Sequence, residues 1–323
     1  MKDDLRQGRE ILDSGRQVVV LSHEHPDGDA IGSMLGLTLG LQAAGLTAVP
    51  VLAEGMPGRF RFLPGADQVK KTLPQVPSVL VAVDCADVRR VTSAHAGAPL
   101  PRIDLNIDHH PTNTLFGRWN WVDEKAAATS QILAELLPAW GLTIDRDVAT
   151  NLMAGIVTDT LGFRTESVTP ELLHTAARLI EFGVPLTDVY QRTLMGRSVE
   201  AVRYWGRALI RIQREGPLLW TALTAQDRRD SGYAGADDAD LINLLTTIQD
   251  ASLVILFVEH DPSRTKVSWR ARPGLNVAEL ASSFGGGGHE LASGATLDGG
   301  LEDVQLQVLA SARRAIASIQ GPK

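Results

Sequence analysis

The chain has 323 residues, with 31 basic against 38 acidic side chains and a net charge of −7. That length allows two ordinary domains. The acidic balance argues against tracking of long duplexes, which needs a basic surface, but admits a small phosphorylated substrate where bound metal supplies the positive charge. A single cysteine, Cys85, excludes an internal disulfide or a thiolate zinc cluster and fits a reducing, cytoplasmic setting.

The opening MKDDLRQGRE mixes acids and bases without an apolar run, so no signal peptide is expected. Val18–Leu21 predicts a short buried strand. Ala30 to Ala53 carries no charge, which superficially suits a membrane span. Its glycines, Pro50 and scattered Ser, Thr and Gln instead read as a buried helix and then a buried strand over 48–52, and no membrane is expected. Ser78–Asp84 and Ile103–Asp108 predict further strands; 129–140 and 147–157 predict helices. Such β-branched runs alternating with helices predict a parallel sheet covered on both faces.

A helical stretch follows over 170–211, broken at Gly183, Pro185 and Gly196. Beyond it, 209–214 and 218–223 flank Gly216-Pro217 as a hairpin, and 254–259 and 266–270 flank Asp261-Pro262-Ser263 likewise. A helical pattern over 276–284, a glycine run and a final helix over 301–319 complete the chain. The final helix sets Val304, Val308, Leu309, Ala312, Ile316 and Ile319 on one face. The expected architecture is α/β: a parallel-sheet domain covered by helices (1–185), a helical linker (186–207) and a smaller α/β domain (208–323), with a cleft between them.

Five of the eight histidines, His23, His25, His109, His110 and His289, fall in three short motifs. LSHEHPDGDAIGS follows a predicted strand and opens a predicted helix, where α/β sheets hold ligands. It spaces His23, Asp27 and Asp29 as H-x3-D-x-D. Gly28 is read as turning the loop sharply so that the two carboxylates face different metal ions. A turn with an N-cap explains Pro-Asp-Gly-Asp as well, though it leaves His23 without a purpose. Asp84 ends VLVAVD, with a helix cap as the plain alternative. Asp108-His109-His110 ends IDLNID, and adjacent histidines are poor core material, a solvated loop being the alternative. Asp159 closes an apolar helix, where an acid opposes the helix dipole unless a cation compensates it. An ordinary loop acid is the alternative there.

Four aspartates with His23 and His109, and no sulfur, suit two Mn²⁺ or Mg²⁺ ions better than structural zinc. Clustered without cations, the acids would repel one another and their pKa values would rise. Two ions together can lower the pKa of a bridging water and clamp phosphoryl oxygens. SSFGGGGHELASG follows a strand bearing Arg270; its glycine N–H groups could converge on an anion, with His289 as a further donor. A flexible linker is the alternative.

H-x3-D-x-D, VDCAD, DHH and TDT, in this order, resemble the DHH phosphoesterase superfamily. SWRARPGLNVAELASSFGGGGHELASG resembles the DHH-associated C-terminal domain. From about Gln17 to Leu297 the chain is similar to the nanoRNase and pAp-phosphatase group. The resemblance implies His23 and Asp27 on one metal, Asp29, His109 and Asp159 on the other, and Asp84 between them. Asp84, His109, His110 and Asp159 would be catalytic, with His110 beside the substrate phosphate. Arg270, Gly285, Gly286, Gly287, Gly288 and His289 would hold the nucleotide end away from the scissile bond. Also implied are two manganese ions, with magnesium able to replace them. The implied substrates are short oligoribonucleotides, linear dinucleotides and 3′-phosphoadenosine 5′-phosphate. The implied enzyme is cytoplasmic and compatible with a homodimer.

Two departures stand out: His25 occupies a position where relatives often carry Asn or Arg, and Ala271 one where Ser is common. Three rivals are weighed. A family-II-type inorganic pyrophosphatase has a similar metal site but lacks the GGGGH run. A RecJ-type exonuclease normally has a longer, more basic chain. A non-enzymatic nucleotide sensor would be expected to have lost a ligand position, and all six are intact.

Overall fold

Val18–Leu21 (β1) is apolar at every position because both of its faces are covered. Val18 and Val20 join one buried cluster, Val19 and Leu21 another. The same alternation of faces holds in β3 (Val79–Val83), where Val81 and Val83 join the first cluster and Leu80 and Ala82 the second. The computed structural model describes residues 2–15, 17–74, 79–92 and 102–320; Ser78, expected to open β3, lies outside them. By internal contacts the chain divides into two compact units, Met1–Gly196 and Arg197–Lys323.

In the first unit β2 (Ala48–Val51), β1, β3, β4 (Leu105–Asp108) and β5 (Trp119–Val122) form one sheet in the order β2-β1-β3-β4-β5, parallel throughout. The Trp119–Val122 strand was not expected; its residues are only half-buried and it covers the outer edge of β4. The chain leaves β1 for β2 on one side and returns to β3 on the other. Such a reversal opens a crevice beyond the carboxyl ends of the two central strands.

The helices of this unit are α1 (Lys2–Asp13), α2 (Gly28–Ala43), α3 (Val88–Thr92), α4 (Thr129–Ala139), α5 (Arg146–Asp159), α6 (Pro170–Glu181) and α7 (Leu186–Tyr190), which runs into a π-turn over Gln191–Met195. The uncharged segment from Ala30 resolves into the buried helix α2 and the strand β2. No helix among the described residues is long and apolar enough to cross a membrane.

The glycines of α2 have a packing role. A Cβ at Gly28 would fall 2.3 Å from Thr158 Oγ1, and one at Gly32 2.4 Å from the Asn151 carbonyl oxygen, both on α5. The expectation that Gly28 makes a sharp turn is therefore corrected. It begins the helix with no left-handed φ, and its missing side chain lets α2 lie directly on α5.

The second unit holds α8 (Val199–Leu209), β6 (Gln213–Glu215), β7 (Leu218–Leu223), α9 (Ala225–Ser231), α10 (Leu241–Leu245), β8 (Leu253–Asp261), β9 (Arg264–Ala271), α11 (Val277–Ser282), β10 (Gly287–His289), β11 (Ala292–Asp298) and α12 (Leu301–Gln320). Its sheet runs β10-β11-β9-β8-β7-β6, with β7 and β8 parallel and the other neighbours antiparallel. Ile255, Phe257, Val267 and Trp269 pack with Val277 of α11 and Val304 and Val308 of α12. Leu219, Val254 and Leu256 pack on the other side with Tyr204 of α8 and Leu241 of α10. Leu209, expected to begin a strand, ends α8, and the hairpin strand is the shorter Gln213–Glu215. Within 186–207, α7 with its π-turn and α8 are separated by the non-helical residues 196–198, and they pack on different units: Val189 of α7 in the first core, Tyr204 of α8 in the second.

Candidate metal centre

Each strand facing the crevice ends in a polar residue that no apolar core would accept. His23 follows β1, Asp84 follows β3, and Asp108 closes β4 ahead of His109 and His110. Asp27 and Asp29 stand at the start of α2, and Asp159 is the last residue of α5. The close approach of α2 and α5 brings those two helix ends together. Three overlapping groups result: His23, Asp27 and Asp84; Asp29, His109 and Asp159; and Asp84, His109 and His110. Within each group, one potential ligand atom per residue lies within 4.8 Å of the others. All six acid and imidazole residues singled out from the sequence thus meet at one place, with His110 beside them.

Asp84 is at the middle. It is buried, and its φ of 54° is left-handed, a conformation that costs a non-glycine residue on the order of 1–3 kcal/mol. The backbone N–H still donates to the Ile107 carbonyl at 2.9 Å, so the strained residue remains anchored to β4. The carboxylate lies 3.7 Å from His23 Nε2, 3.6 Å from His109 Nε2 and 3.7 Å from His110 Nδ1. Burial alone would raise its pKa. The close approach of His23 and the charges of His109 and His110 outweigh burial and hold the carboxyl below its usual range.

Backbone carbonyls orient the imidazoles. His23 Nδ1 lies 2.7 Å from the Glu24 carbonyl and His109 Nδ1 3.2 Å from that of Ala126, so both rings carry a proton on Nδ1 and turn Nε2 to the centre. Arg90 Nη2 also reaches His23 Nδ1 at 3.0 Å, but two donors cannot bond each other; the Glu24 contact is shorter and leaves Nε2 as the coordinating atom. His110 is held by buried Asp108, with Nδ1 donating to Oδ1 at 2.7 Å, while Asn113 Nδ2 donates to Oδ2 at 2.6 Å. Burial lowers the pKa of all three histidines, yet neighbouring carboxylates prevail and raise it, chiefly Asp84 for His23 and His109 and Asp108 for His110.

Asp29 also caps a helix to which it does not belong. Helix α4 has Ala128 at its N-cap, which has no side chain to satisfy the first amides. Asp29 takes that place from another element: Thr129 N–H donates to Oδ2 at 2.6 Å, and Ser130 N–H donates to Oδ1 at 3.0 Å. Burial and the nearby Asp84 push its pKa up to about 7. Asp159 is raised well above the ordinary value by burial and by Asp29, Asp27 and Asp84. Asp27 satisfies both readings of its motif: one oxygen caps α2 by accepting from the Asp29 and Ala30 amides, and the residue still belongs to the His23 and Asp84 group.

Several contributors were not singled out from the sequence. Thr129 donates its hydroxyl to Asp84 Oδ1 at 3.1 Å, Ser33 donates to Asp29 at 3.2 Å, and Arg90 flanks His23. The uncapped AAATS start of α4 was the available signal for Thr129 and Ser130. This donor set of carboxylate oxygens and imidazole nitrogens, unbalanced by Lys or Arg within the three groups, fits divalent cations. Cys85 adds nothing; burial pushes its thiol up to about 12.

The residues expected to hold the far end of a substrate lie in the second unit. Register sets Arg270, Ala292 and His289 in one row across β9, β11 and β10. Paired residues share a face, so the small Ala292 separates Arg270 from His289. Burial lowers the Arg270 pKa against the pull of Asp238 and Asp240. The glycine run, read from the sequence as an anion-binding segment with a flexible linker as the alternative, is in part a strand. Gly285 turns at φ 74°, then Gly287 to His289 form a strand on β11. A Cβ at Gly286 would fall 2.2 Å from the Gly294 carbonyl oxygen, and one at Gly288 2.6 Å from that of Ala292. Glycine is needed at those two positions because the backbones nearly touch.

Residues 17–156 match the DHH family, N-terminal domain, and residues 225–318 match the DHHA1 domain. The chain is 38% identical over 288 residues to the bifunctional oligoribonuclease and PAP phosphatase NrnA of Thermus thermophilus, covering 87% of this chain and 84% of that protein. Against the protein of the same name from Bacillus subtilis it is 27% identical, covering 92% of this chain and 93% of that one. Among solved structures, an exopolyphosphatase-related protein from Bacteroides fragilis shares the fold, with a TM-score of 0.86 and 23% identity over 97% of this chain and 96% of that one. On the strength of the Thermus match along most of both chains, and of the two domains in sequence, the chain belongs to the DHH family, with an N-terminal DHH domain followed by a DHHA1 domain.

Proposed function

We propose that this protein is a metal-dependent phosphoesterase that hydrolyses short oligoribonucleotides to mononucleotides and 3′-phosphoadenosine 5′-phosphate to AMP. The observation that carries the reading is the meeting of three acid and imidazole groups around Asp84. The two NrnA relatives, named for these activities and matched along most of their length, support the substrate class. His23, Asp27 and Asp84 hold one cation, and Asp29, His109, Asp159 and Asp84 the other. Manganese is the preferred ion and magnesium its substitute, since every donor is oxygen or imidazole nitrogen. Two such ions, when bound, lower the pKa of a water and offset phosphoryl charge.

The protein's own groups supply orientation and proton placement. The Glu24 and Ala126 carbonyls keep Nδ1–H of His23 and His109 turned away from the centre. Asp108 holds the proton on His110 Nδ1 and favours the imidazolium, whose charge offsets that growing on the non-bridging oxygens of the substrate phosphate. Arg270 and the Gly285–His289 segment bind the end of the nucleotide away from the scissile bond, contributing positioning rather than chemistry. The lone, buried Cys85 suits work in a reducing cytoplasm.

The test is one assay series in Mn²⁺. It compares pyrophosphate, 3′-phosphoadenosine 5′-phosphate, a dinucleotide, a pentanucleotide and a long single strand of RNA. Fast turnover of the bisphosphate and the two short RNAs is expected. Release of phosphate from pyrophosphate alone would overturn the reading.

A further inference from the structure

His25 lies between His23 and Asp27 on the loop joining β1 to α2. Its side chain is exposed, yet its backbone is left-handed at φ 52°. Glycine adopts that conformation freely; other residues do so uncommonly, Asn, Asp and His more readily than the rest. The neighbouring residues are tied down by other means: the Glu24 N–H donates to the Arg90 carbonyl at 2.9 Å, and Asp27 caps α2. What faces His25 is Glu54. Glu54 Oε1 accepts from the His25 backbone N–H at 3.4 Å, and the two carboxylate oxygens lie 3.1 and 3.2 Å from ring Nδ1.

The backbone at Glu54 is held in a turn, while its side chain is exposed. It sits just beyond β2 in a turn that Gly55 closes, at φ 78°, by donating its N–H to the Leu52 carbonyl at 2.9 Å. The loop around His23 and the segment around Glu54 line a small cavity, so the loop is not packed solidly onto the end of β2. The carboxylate spans from the sheet edge to the strained residue.

We infer that Glu54 is a positioning residue: it clamps His25 in the left-handed conformation and thereby holds His23 and Asp27 in metal-binding geometry. The inference rests on the proposed assignment of His23 and Asp27 to one ion. Its physical basis is population. A ligand binds in proportion to the fraction of molecules already in the competent conformation, and the clamp raises that fraction. The effect is confined to one of the two ions. Asp29 is pinned by the amides of Thr129 and Ser130, which do not depend on the loop. A general loosening of the fold would not discriminate between the sites in this way.

The experiment is Mn²⁺ titration of the full chain by calorimetry and electron paramagnetic resonance. The wild type should bind two ions. Glu54→Ala should leave one site unchanged and weaken the other about tenfold, the factor corresponding to relief of a single strained backbone residue. Adding His25→Gly to Glu54→Ala should restore the weakened site, because glycine takes the left-handed conformation without a clamp. Unchanged binding by Glu54→Ala, equal weakening of both sites, or no recovery with glycine at position 25 would each overturn the inference while leaving the metal centre intact. A wild type that binds no Mn²⁺ would overturn the functional reading and the clamp together.

Discussion

Asp84 shows how a single side chain carries the site. It is buried, left-handed and within 3.7 Å of three imidazoles, so its charge is compensated without Lys or Arg. Asp84→Asn keeps the shape and removes the charge. We expect loss of measurable Mn²⁺ binding and a fall in kcat of at least roughly a thousandfold, since on the proposed assignment both ions lose a shared ligand. Calorimetric titration and steady-state kinetics check it.

The same cluster predicts a pH dependence. Asp29 is pushed up to about 7 from an ordinary 3.8, and Asp159 is raised too. For a raised acid, the folded chain holds more protons than the unfolded chain between the two values, so the metal-free protein loses stability as pH rises through that window. The raised histidines act in the same direction. Their contribution is complete below the ordinary 6.5 and is lost as pH climbs through their higher folded values. Asp84 is depressed and acts oppositely, stabilising above its ordinary 3.8 and failing only in deeper acid. On the proposed assignment, Mn²⁺ would displace these protons. The rise in melting temperature on adding Mn²⁺ should therefore be larger at pH 8 than at pH 6; an equal rise would contradict the assignment.

At the scale of elements, the contact of α2 with α5 sets the distance between the two ends of the metal centre. Gly155 of α5 lies where that helix meets both α4 and α2: a Cβ there would fall 2.0 Å from Ser130 Oγ and 2.6 Å from Asp29 Oδ1. Gly155→Ala should cost about 1–3 kcal/mol in urea unfolding and weaken the Asp29 metal site beyond what the lost stability explains. Gly40→Ala is the control. Its Cβ would meet Leu137 at 3.5 Å, an ordinary contact, so a neutral or slightly stabilising change is expected there. The cap that Asp29 provides to α4 is a second link between elements, tying the metal centre to the start of a helix that lacks a cap of its own.

At the scale of the whole molecule, the proposed reading divides the work between the two units. Acid and imidazole groups gather in the first, and the row containing Arg270 and His289 stands on the sheet of the second. On the proposed reading, Arg270→Ala should raise KM for a dinucleotide by about ten- to a hundredfold, the worth of one charge-assisted hydrogen bond. Mn²⁺ affinity should not change. A fall in kcat with KM untouched would assign Arg270 to chemistry instead of binding.

Much of this was legible in the order of residues alone. β1 and β3 are continuous apolar runs because their sheet is covered on both faces, and such runs announce themselves. The polar residues ending them, His23, Asp84 and Asp108-His109-His110, stood out because nothing apolar would tolerate them. The segments that escaped notice have no such pattern. Trp119–Val122 is a half-buried edge strand, and Ala292–Asp298 is rich in small residues and becomes a strand through pairing with β9. Gly28 was misjudged for the same reason, since its role lies in Thr158, 130 positions away in the chain. The sequence by itself determined the fold class and the chemical character of the site, because burial and ligand chemistry are written in residue types. Only the tertiary structure decided which amides Asp29 caps, which carbonyls turn the imidazoles and which carboxylate faces His25, because those partners meet through space and local periodicity carries no record of them.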